Sequence, residues 1–196
     1  MTTICVIGNG ESRKNLDLNN LNFYKIGCNA IYRDFYIDEL VCVDRRMVRE
    51  ALSNNFTKNI YTRQDWINDF VNDQNVKVLP TLPFPLFLRA DDPFNWGSGP
   101  YSLFIAAQKA SKILIIGFDL FSEDKFVNNI YKDTENYDKS SHHAIDPRYW
   151  IYQAKKIFTS FPLISFIIYQ KYNWQLPDEW RCPNVFLDNL NNLKYN

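Results

Sequence analysis

Short apolar segments alternate along the chain with longer segments whose apolar residues recur at helical spacing. Seven short segments rich in β-branched and aromatic residues predict strands: TICVIG, FYKIGCNA, ELVCVD, KNIYTR, VKVL, KILIIGFD and PLISFIIY. Several of them are continuously apolar, which is typical of strands covered on both faces of a parallel sheet. Three segments between the strands predict helices: RRMVREALSNN, SGPYSLFIAAQKAS and DPRYWIYQAKKIFTSF.

This alternation of strands and helices predicts an α/β fold: a single doubly wound, Rossmann-like domain over residues 1–196. We expect a mainly parallel sheet with helices on both faces. Two long loops, at about 80–96 and 122–146, interrupt the pattern, and loops of this length are commonly binding loops or lids. The third helix has the clearest start, with Asp146 predicted as its N-cap and Pro147 at its first position.

Composition narrows the classes of protein to consider. The 22 basic and 22 acidic residues leave no net charge to attract nucleic acid, so a nucleic-acid partner is not favoured. The longest apolar stretches, ILIIGF and FPLISFII, are far below the roughly 20 residues of a membrane span. The first residues lack the pattern of a secretory signal, so export is not expected. The four cysteines lack zinc-site spacing and are expected to be free thiols of a soluble, cytoplasmic protein. A homo-oligomer remains open.

A glycine turn follows the first predicted strand. Gly8 and Gly10 permit a tight turn whose backbone N–H groups, with those of a helix start, suit a phosphate. The motif is neither a Walker loop nor a complete dinucleotide fingerprint. A second glycine turn, Gly97 to Gly99, precedes the second predicted helix and supplies further donors. For both turns, the alternative is a purely structural strand-to-helix or loop-to-helix connection.

Polar residues at other strand ends extend this predicted site. Asn29 ends the second strand 21 residues after Gly8, where dinucleotide-binding folds place an acid on the ribose, and an uncharged amide there disfavours NAD. Asp44 follows the third strand, and Asp119 follows the sixth. Because ligands of open α/β sheets bind beyond the carboxyl ends of the strands, we expect these residues to converge.

The only two histidines, His142 and His143, lie side by side in the second long loop. A histidine titrates near neutrality and is the usual general base when it reaches a substrate hydroxyl. The alternative is an exposed pair without a task. A metal site is not predicted, because only Asp146 lies nearby as a further ligand and the chain has no Asp-x-Asp motif. Metal-independent chemistry is therefore preferred.

In this order, VIGNGES, IGCNAIY, WGSGPYSLFIAAQKASKILIIGFDLF and the histidine segment resemble the bacterial family 42 sialyltransferases. They are also similar to the wider group of 6-hydroxymethylpterin pyrophosphokinase-like and glycosyltransferase-associated proteins that share the glycine-asparagine-glycine opening. The resemblance spans about three quarters of the chain. It implies a single Rossmann-like domain, a CMP-sugar donor, no metal, and a histidine that deprotonates the acceptor hydroxyl.

The resemblance also implies roles for individual residues of the donor site. Asn9 would lie at the donor phosphate, and Asn29 and Asp44 near the nucleoside. Ser98 with Gly99 would support the sugar or the phosphate.

The same resemblance assigns the catalytic residues and shows two departures from the family. His143 matches the general base, with His142 as alternate. The family holds the leaving phosphate with two tyrosines, but Phe121 stands at the first position and only Tyr131 is a stand-in for the second. Asp44 replaces an asparagine and would repel a phosphate.

The leading hypothesis is a metal-independent glycosyltransferase that uses a nucleotide-activated sugar, with His143 as general base on an unnamed acceptor. The alternatives are pyrophosphokinase-like phosphoryl transfer from ATP, which would need Mg²⁺, and nucleotide binding without turnover. The predicted catalytic residues are His143, His142 and Tyr131. The predicted nucleotide- and donor-binding residues are Gly8, Asn9, Gly10, Ser12, Asn29, Asp44, Gly97, Ser98, Gly99 and Asp119.

Overall fold

The computed structural model of the protein describes residues 2–84, 96–122 and 124–195. Within these ranges the strands are β1 (Thr3–Ile7), β2 (Tyr24–Cys28), β3 (Glu39–Val41), β4 (Asn59–Thr62), β5 (Val76–Val78), β6 (Lys112–Ile116), β7 (Ser165–Gln170) and β8 (Val185–Asn189). The α-helices are α1 (Arg45–Ser53), α2 (Ser98–Ala107) and α3 (Arg148–Ser160). Short 3₁₀ helices span Glu11–Arg13, Leu18–Asn20, Asn29–Arg33, Gln64–Phe70, Asp178–Trp180 and Leu190–Asn192.

All eight of these strands pair in parallel in one sheet, in the order β5-β4-β3-β2-β1-β6-β7-β8. The chain runs outward from β1 to β5 and then returns to place β6 on the other side of β1. The order therefore reverses between β1 and β6, which is where open α/β sheets form their ligand crevice. The predicted doubly wound, Rossmann-like architecture is confirmed.

Two apolar cores lie on opposite faces of the sheet. Ile4 and Val6 of β1 pack into the core that contains α2 and α3, whereas Cys5 and Ile7 pack into the core that contains α1. A strand buried on both faces needs apolar residues at every position, which explains the continuous apolar segments of the sequence. Helix α2 is itself buried at every residue except Gly99, as expected for a helix that is apolar on all sides.

Several details differ from the sequence prediction. The helix start expected after the first glycine turn is only the short 3₁₀ helix Glu11–Arg13, and α2 ends at Ala107 rather than at Ser111. Strand β8 was not predicted, because Phe186 and Leu187 are 50% and 43% exposed at the sheet edge and interrupt the buried pattern. Helix α3 begins at Arg148, one residue later than predicted, with Pro147 at the N-cap position. The Asp146 carboxylate nevertheless accepts the backbone N–H of Arg148 at 2.9 Å, so it still satisfies a donor of the first turn.

The two predicted long loops are described to different extents. In the first, residues 85–95 lie outside the described residues. In the second, the described residues of 122–146 contain no helix or strand, and the backbone of Phe126 bridges that of His143. This second loop crosses the carboxyl edge of the sheet, where the Ile130 N–H donates to the Asn9 carbonyl at 2.9 Å. No helix in the described ranges is both long enough and apolar enough to span a membrane.

Candidate functional site

A cleft of about 290 Å³ opens at the carboxyl edge of the sheet, beside the ends of β1 and β6. All the predicted nucleotide- and donor-binding residues except Ser12 line it: Gly8, Asn9, Gly10, Asn29, Asp44, Gly97, Ser98, Gly99 and Asp119. They come together because parallel strands end at one edge of the sheet. Their contact with a nucleotide stays a prediction.

The turns after β1 and β6 approach each other too closely for side chains. A Cβ on Gly8 would lie 2.5 Å from the Gly117 carbonyl oxygen, and one on Gly10 would lie 2.3 Å from the Asp119 carboxyl carbon. Gly117 has φ +71°, a conformation that favours glycine. These glycines therefore let the two turns form one continuous cleft floor at the switch point.

The side chain of Asn9 is fully engaged by the protein. Its Nδ2 donates to the Cys28 carbonyl at 3.0 Å and to the Tyr137 hydroxyl at 3.2 Å, and its Oδ1 accepts from Arg13 at 3.2 Å. The amide thus joins the ends of β1 and β2 to the second loop. A ligand at this turn would meet the backbone of Asn9 rather than its amide.

The Ser98 hydroxyl is also fully engaged. It donates to Asn29 Oδ1 at 2.9 Å and accepts the Val43 N–H at 3.1 Å, so it joins α2 to the ends of β2 and β3. Among the described residues, the N–H groups of Ser98 and Gly99 have no protein acceptor, as expected for the first turn of a helix. Both residues line the cleft, and their N–H groups, at the positive end of the α2 dipole, suit an anion.

Asn29 has an unusual backbone conformation, and the carboxylate of Asp44 is paired within the protein. Asn29 adopts φ 53°, a left-handed conformation that asparagine tolerates better than most residues. Asp44 caps α1 by accepting the Arg46 N–H at 2.9 Å, and its carboxylate pairs with the Arg46 guanidinium at 2.7 Å. Its hydrogen bonds from Arg46 lower the pKa of Asp44. The pairing offsets the repulsion that this carboxylate would exert on a phosphate.

Asp119 is buried beneath the first glycine turn. Its two carboxylate oxygens accept from the Ser12 N–H at 2.8 Å and from Gln170 Nε2 at 2.7 Å. Ser12 does not line the cleft, and its hydroxyl is buried without a hydrogen-bond partner among the described residues. Asp119 therefore fixes the turn, and only the backbone of Ser12 contributes to that arrangement.

The structure does not bring Tyr131 to the cleft. Tyr131 is 4% exposed, and its hydroxyl donates to Asp34 at 2.6 Å while accepting from Arg13 at 3.2 Å. Burial and the Asp34 hydrogen bond raise the pKa of Tyr131. Phe121, at the other family tyrosine position, stacks on Trp174 and offers no hydroxyl. Neither residue is in place to hold a leaving phosphate.

Tyr137, which the sequence analysis missed, is the tyrosine whose hydroxyl contacts the first glycine turn. Its hydroxyl oxygen accepts from Asn9 at 3.2 Å and from the Ala30 N–H at 3.3 Å. Both lone pairs are thus used, and among the described residues the hydroxyl proton has no acceptor. Burial raises the pKa of Tyr137, so the group stays a donor near neutral pH. Sequence spacing carried no signal that separates it from Tyr131.

A second cavity of about 470 Å³ adjoins the cleft beneath the second loop. The two cavities share Leu120, Asn128, Asn129 and Trp150, and the second is also lined by Arg46, Val127, Asn136, Tyr137, Asp138, Ala144 and Ile145. Its polar amides and charged groups, beside one indole ring, suit a hydroxyl-rich ligand.

Both predicted histidines lie at the surface beside this second cavity. His143 stacks on Phe126 with ring centroids 5.6 Å apart, and it precedes Ala144, a residue of the cavity wall. His142 Nδ1 lies 3.5 Å from an Asp138 carboxylate oxygen. Neither imidazole lines either cavity, so a catalytic role would require the imidazole to turn toward the ligand. In the described part of the chain, no three acidic, cysteine or histidine side chains converge as metal ligands.

Fold and site together define an α/β protein with a ligand-sized cleft at the switch point of a parallel sheet. Sialyltransferase structures share this architecture. The sialyltransferase CstII from Campylobacter jejuni, in complex with the substrate analogue CMP-3FNeuAc, is 15% identical with a TM-score of 0.61, over 99% of this chain and 90% of that chain. The sialyltransferase CST-II in complex with trisaccharide acceptor and CMP is 14% identical with a TM-score of 0.59, over 98% and 89%.

No protein-family model matches the chain, and no curated protein matches it. At these identities the structural similarity establishes the shared fold. It supports the sialyltransferase-like part of the resemblance and not the pyrophosphokinase-like part.

Proposed function

We propose that the protein is a metal-independent glycosyltransferase that transfers a sugar from a nucleotide-activated donor to an acceptor hydroxyl. A CMP-linked sugar is the first donor to test, because the sialyltransferases with this fold were solved with CMP or a CMP-linked analogue. No cofactor beyond this co-substrate is proposed. The cytoplasmic location expected from the free cysteines stays a prediction.

One observation carries the proposal: the cleft with free backbone donors adjoins a second, polar cavity and shares four lining residues with it. In the proposed complex, the donor phosphate lies at the N–H groups of Ser98 and Gly99, where the α2 dipole favours negative charge. The acceptor occupies the second cavity, in contact with Trp150 and its neighbouring amides. Two adjoining sites of this kind suit a reaction that joins two bound molecules.

Tyr137 supplies the hydroxyl that stabilises the leaving phosphate in this proposal. Tyr137 lines the second cavity and accepts from Asn9 of the cleft, and its hydroxyl proton has no acceptor among the described residues. As the sugar departs, negative charge grows on the phosphate oxygen, and a fixed donor stabilises that charge more than the ground state. Tyr137 thus takes the role that Tyr131 and Phe121 cannot.

His143 acts as the general base on the acceptor hydroxyl. Its neighbour Ala144 lines the acceptor cavity, and catalytic hydrogen bonds often form only in the complex with substrate. In the bond-making step, the acceptor oxygen bonds to the anomeric carbon as the bond from that carbon to the phosphate oxygen breaks. The acceptor proton passes to His143, and the nucleotide leaves with the electron pair.

The test is incubation with CMP-, UDP- and GDP-linked sugars, with and without EDTA, followed by chromatography of the released nucleotide. We expect release from one donor class that persists in EDTA. Replacing His143 by Ala should lower the rate about 10²–10⁴-fold, and comparison with His142→Ala identifies which imidazole is the base. Tyr137→Phe should cost about 10²–10³-fold.

Two outcomes would contradict the proposal. Binding of CMP without release from any donor would indicate a nucleotide-binding protein without turnover. Activity only with ATP and Mg²⁺ would indicate phosphoryl transfer.

A further inference from the structure

A buried cation lies directly beneath the cleft floor. Arg13 is 1% exposed, and its Nε donates to the Gly8 carbonyl at 2.6 Å while Nη2 donates to Asn9 Oδ1 at 3.2 Å. Its Cδ lies 3.1 Å from the position of a Cβ on Gly117. The side chain therefore contacts three residues of the cleft wall from the protein side, without entering the cleft.

This cation has no direct counter-charge in the described part of the protein. None of the described carboxylates lies within 4.0 Å of its guanidinium. It packs instead over the rings of Phe35 and Tyr131, at 5.6 and 5.7 Å. Tyr131 in turn donates to Asp34, an exposed residue whose charge water screens. Asp119, on the other side of the turn, is held by Ser12 and Gln170.

An unpaired buried charge is costly. Moving an ion from water into the protein interior is strongly unfavourable unless nearby charges or dipoles compensate. The Gly8 carbonyl, the Asn9 amide, the Tyr131 hydroxyl and two aromatic faces compensate only in part. An anion bound in the adjoining cleft would complete the compensation, since a charge in the interior is felt over several ångströms.

Arg13 also sets the polarity of the groups that face the ligand. A guanidinium can only donate, so Arg13 fixes Asn9 Oδ1 as the acceptor of its hydrogen bond. The Cys28 carbonyl accepts one proton of Asn9 Nδ2. The remaining Nδ2 proton is donated to Tyr137, whose oxygen becomes an acceptor and whose own proton is left for the ligand. Polarisation along such a chain strengthens the final donor.

We propose that Arg13 is a positioning residue that makes the cleft selective for an anionic ligand, through its buried charge and through the chain Arg13–Asn9–Tyr137. The anion of interest, the phosphate of a nucleotide, rests on the proposed function. The cleft is then expected to distinguish a nucleotide from its nucleoside, although Arg13 itself touches neither.

The experiment compares the binding of CMP and of cytidine by isothermal titration calorimetry. Arg13→Gln removes the charge and keeps a polar side chain that can reach Gly8. We expect it to weaken CMP binding about tenfold or more, as one unit charge at interior distances allows, and to leave cytidine binding within about twofold. Arg13→Lys restores the charge and should recover most of the CMP affinity.

Lys25→Gln is the matched control. Lys25 is also a buried cation, 6% exposed, and its Nζ donates to the Leu21 carbonyl at 2.7 Å. It lies near the amino end of β2, away from the carboxyl ends of the strands where the cleft opens. Its removal tests the general effect of deleting a buried charge, and CMP binding should not change. Arg13→Met, which replaces the charge by an apolar side chain, serves if Arg13→Gln does not fold.

Each outcome decides the inference. Equal losses of CMP and cytidine binding in Arg13→Gln would show that Arg13 only supports the structure of the cleft, which would overturn the inference. Unchanged CMP binding, or a wild-type protein that does not prefer CMP to cytidine, would overturn it as well. Anion-selective binding that depends on Arg13, with no sugar transfer from any donor, would support the inference while refuting the proposed function.

Discussion

The Ser98 hydroxyl offers a sharp test of how the cleft is built. It joins α2 to two strand ends, through the Asn29 side chain at 2.9 Å and the Val43 N–H at 3.1 Å. Ser98→Ala leaves both partners without their bond. An unsatisfied buried group costs about 1–3 kcal/mol, and because Asn29 and Val43 are only half-buried, water recovers part of this. We expect a total loss of about 2 kcal/mol.

The assay is thermal and urea unfolding of Ser98→Ala beside Ser102→Ala. For a chain of this size, about 2 kcal/mol corresponds to a fall of roughly 4–8 °C in Tm. Ser102 is the matched control: it lies in the same helix, it is 0% exposed, and its hydroxyl donates only to the Ser98 carbonyl at 2.8 Å. Such a bond within one helix adds little stability, so Ser102→Ala should cost less than about 1 kcal/mol.

The reasoning is refuted if Ser98→Ala is as stable as Ser102→Ala. A second readout separates structure from ligand contact. Both hydrogen bonds of the Ser98 hydroxyl are made within the protein, so Ser98→Ala should weaken nucleotide binding only modestly. If the hydroxyl instead contacted the phosphate, the same variant would show a large loss of nucleotide affinity.

Two further predictions concern the turn and acid stability. Gly10→Ala should destabilise the protein by about 1–3 kcal/mol in urea unfolding, because its Cβ would lie 2.3 Å from Asp119, whereas Gly99→Ala, with its nearest contact at 3.3 Å, should cost less. Desolvation raises the pKa of Glu50, but hydrogen bonds from Tyr32 and other donors to its carboxylate outweigh desolvation, so the pKa is lowered overall. The ionised Glu50 therefore stabilises the folded protein above the unfolded-state pKa. This contribution is lost as pH falls through the folded-state pKa.

The matched pair for the acid prediction is Glu50→Gln against Glu135→Gln. Glu135 is exposed and has no described ion pair, so its replacement should leave the pH profile of stability unchanged. Glu50→Gln should flatten that profile below the ordinary pKa of glutamate, where the wild-type protein loses the contribution of Glu50. A profile identical to wild type would contradict the assignment of Glu50.

Much of the fold follows from local patterns in the sequence. Strand β1 is apolar at successive positions because alternate residues enter two cores, and a parallel sheet is the common way to bury both faces. The same pattern fails for β8, where one face is open at the sheet edge. The order of the strands then places the candidate cleft, since residues after β1, β2, β3 and β6 meet at one edge.

The side chains of the site were less predictable than its position. The sequence analysis assigned Asn9 and Ser98 to the donor site, yet their polar groups serve neighbouring turns. The path of the second loop, which no local pattern specifies, decides that Tyr131 is interior and that Tyr137 lines the second cavity. Arg13 sits in a polar segment, and only the folded chain reveals that it is buried.

The burial of α2 on all sides has a consequence for how ligands are admitted. Helix α2 packs on strands β1, β2 and β3 and against α3, so it cannot tilt or slide without opening voids in close-packed material. Its amino-terminal dipole is consequently immobile, and anion capture there spends no entropy on ordering the main chain. Ligands of different size must then be accommodated by the second loop, which crosses the carboxyl edge of the sheet. We therefore expect related chains that accept different ligands to differ mainly in this loop.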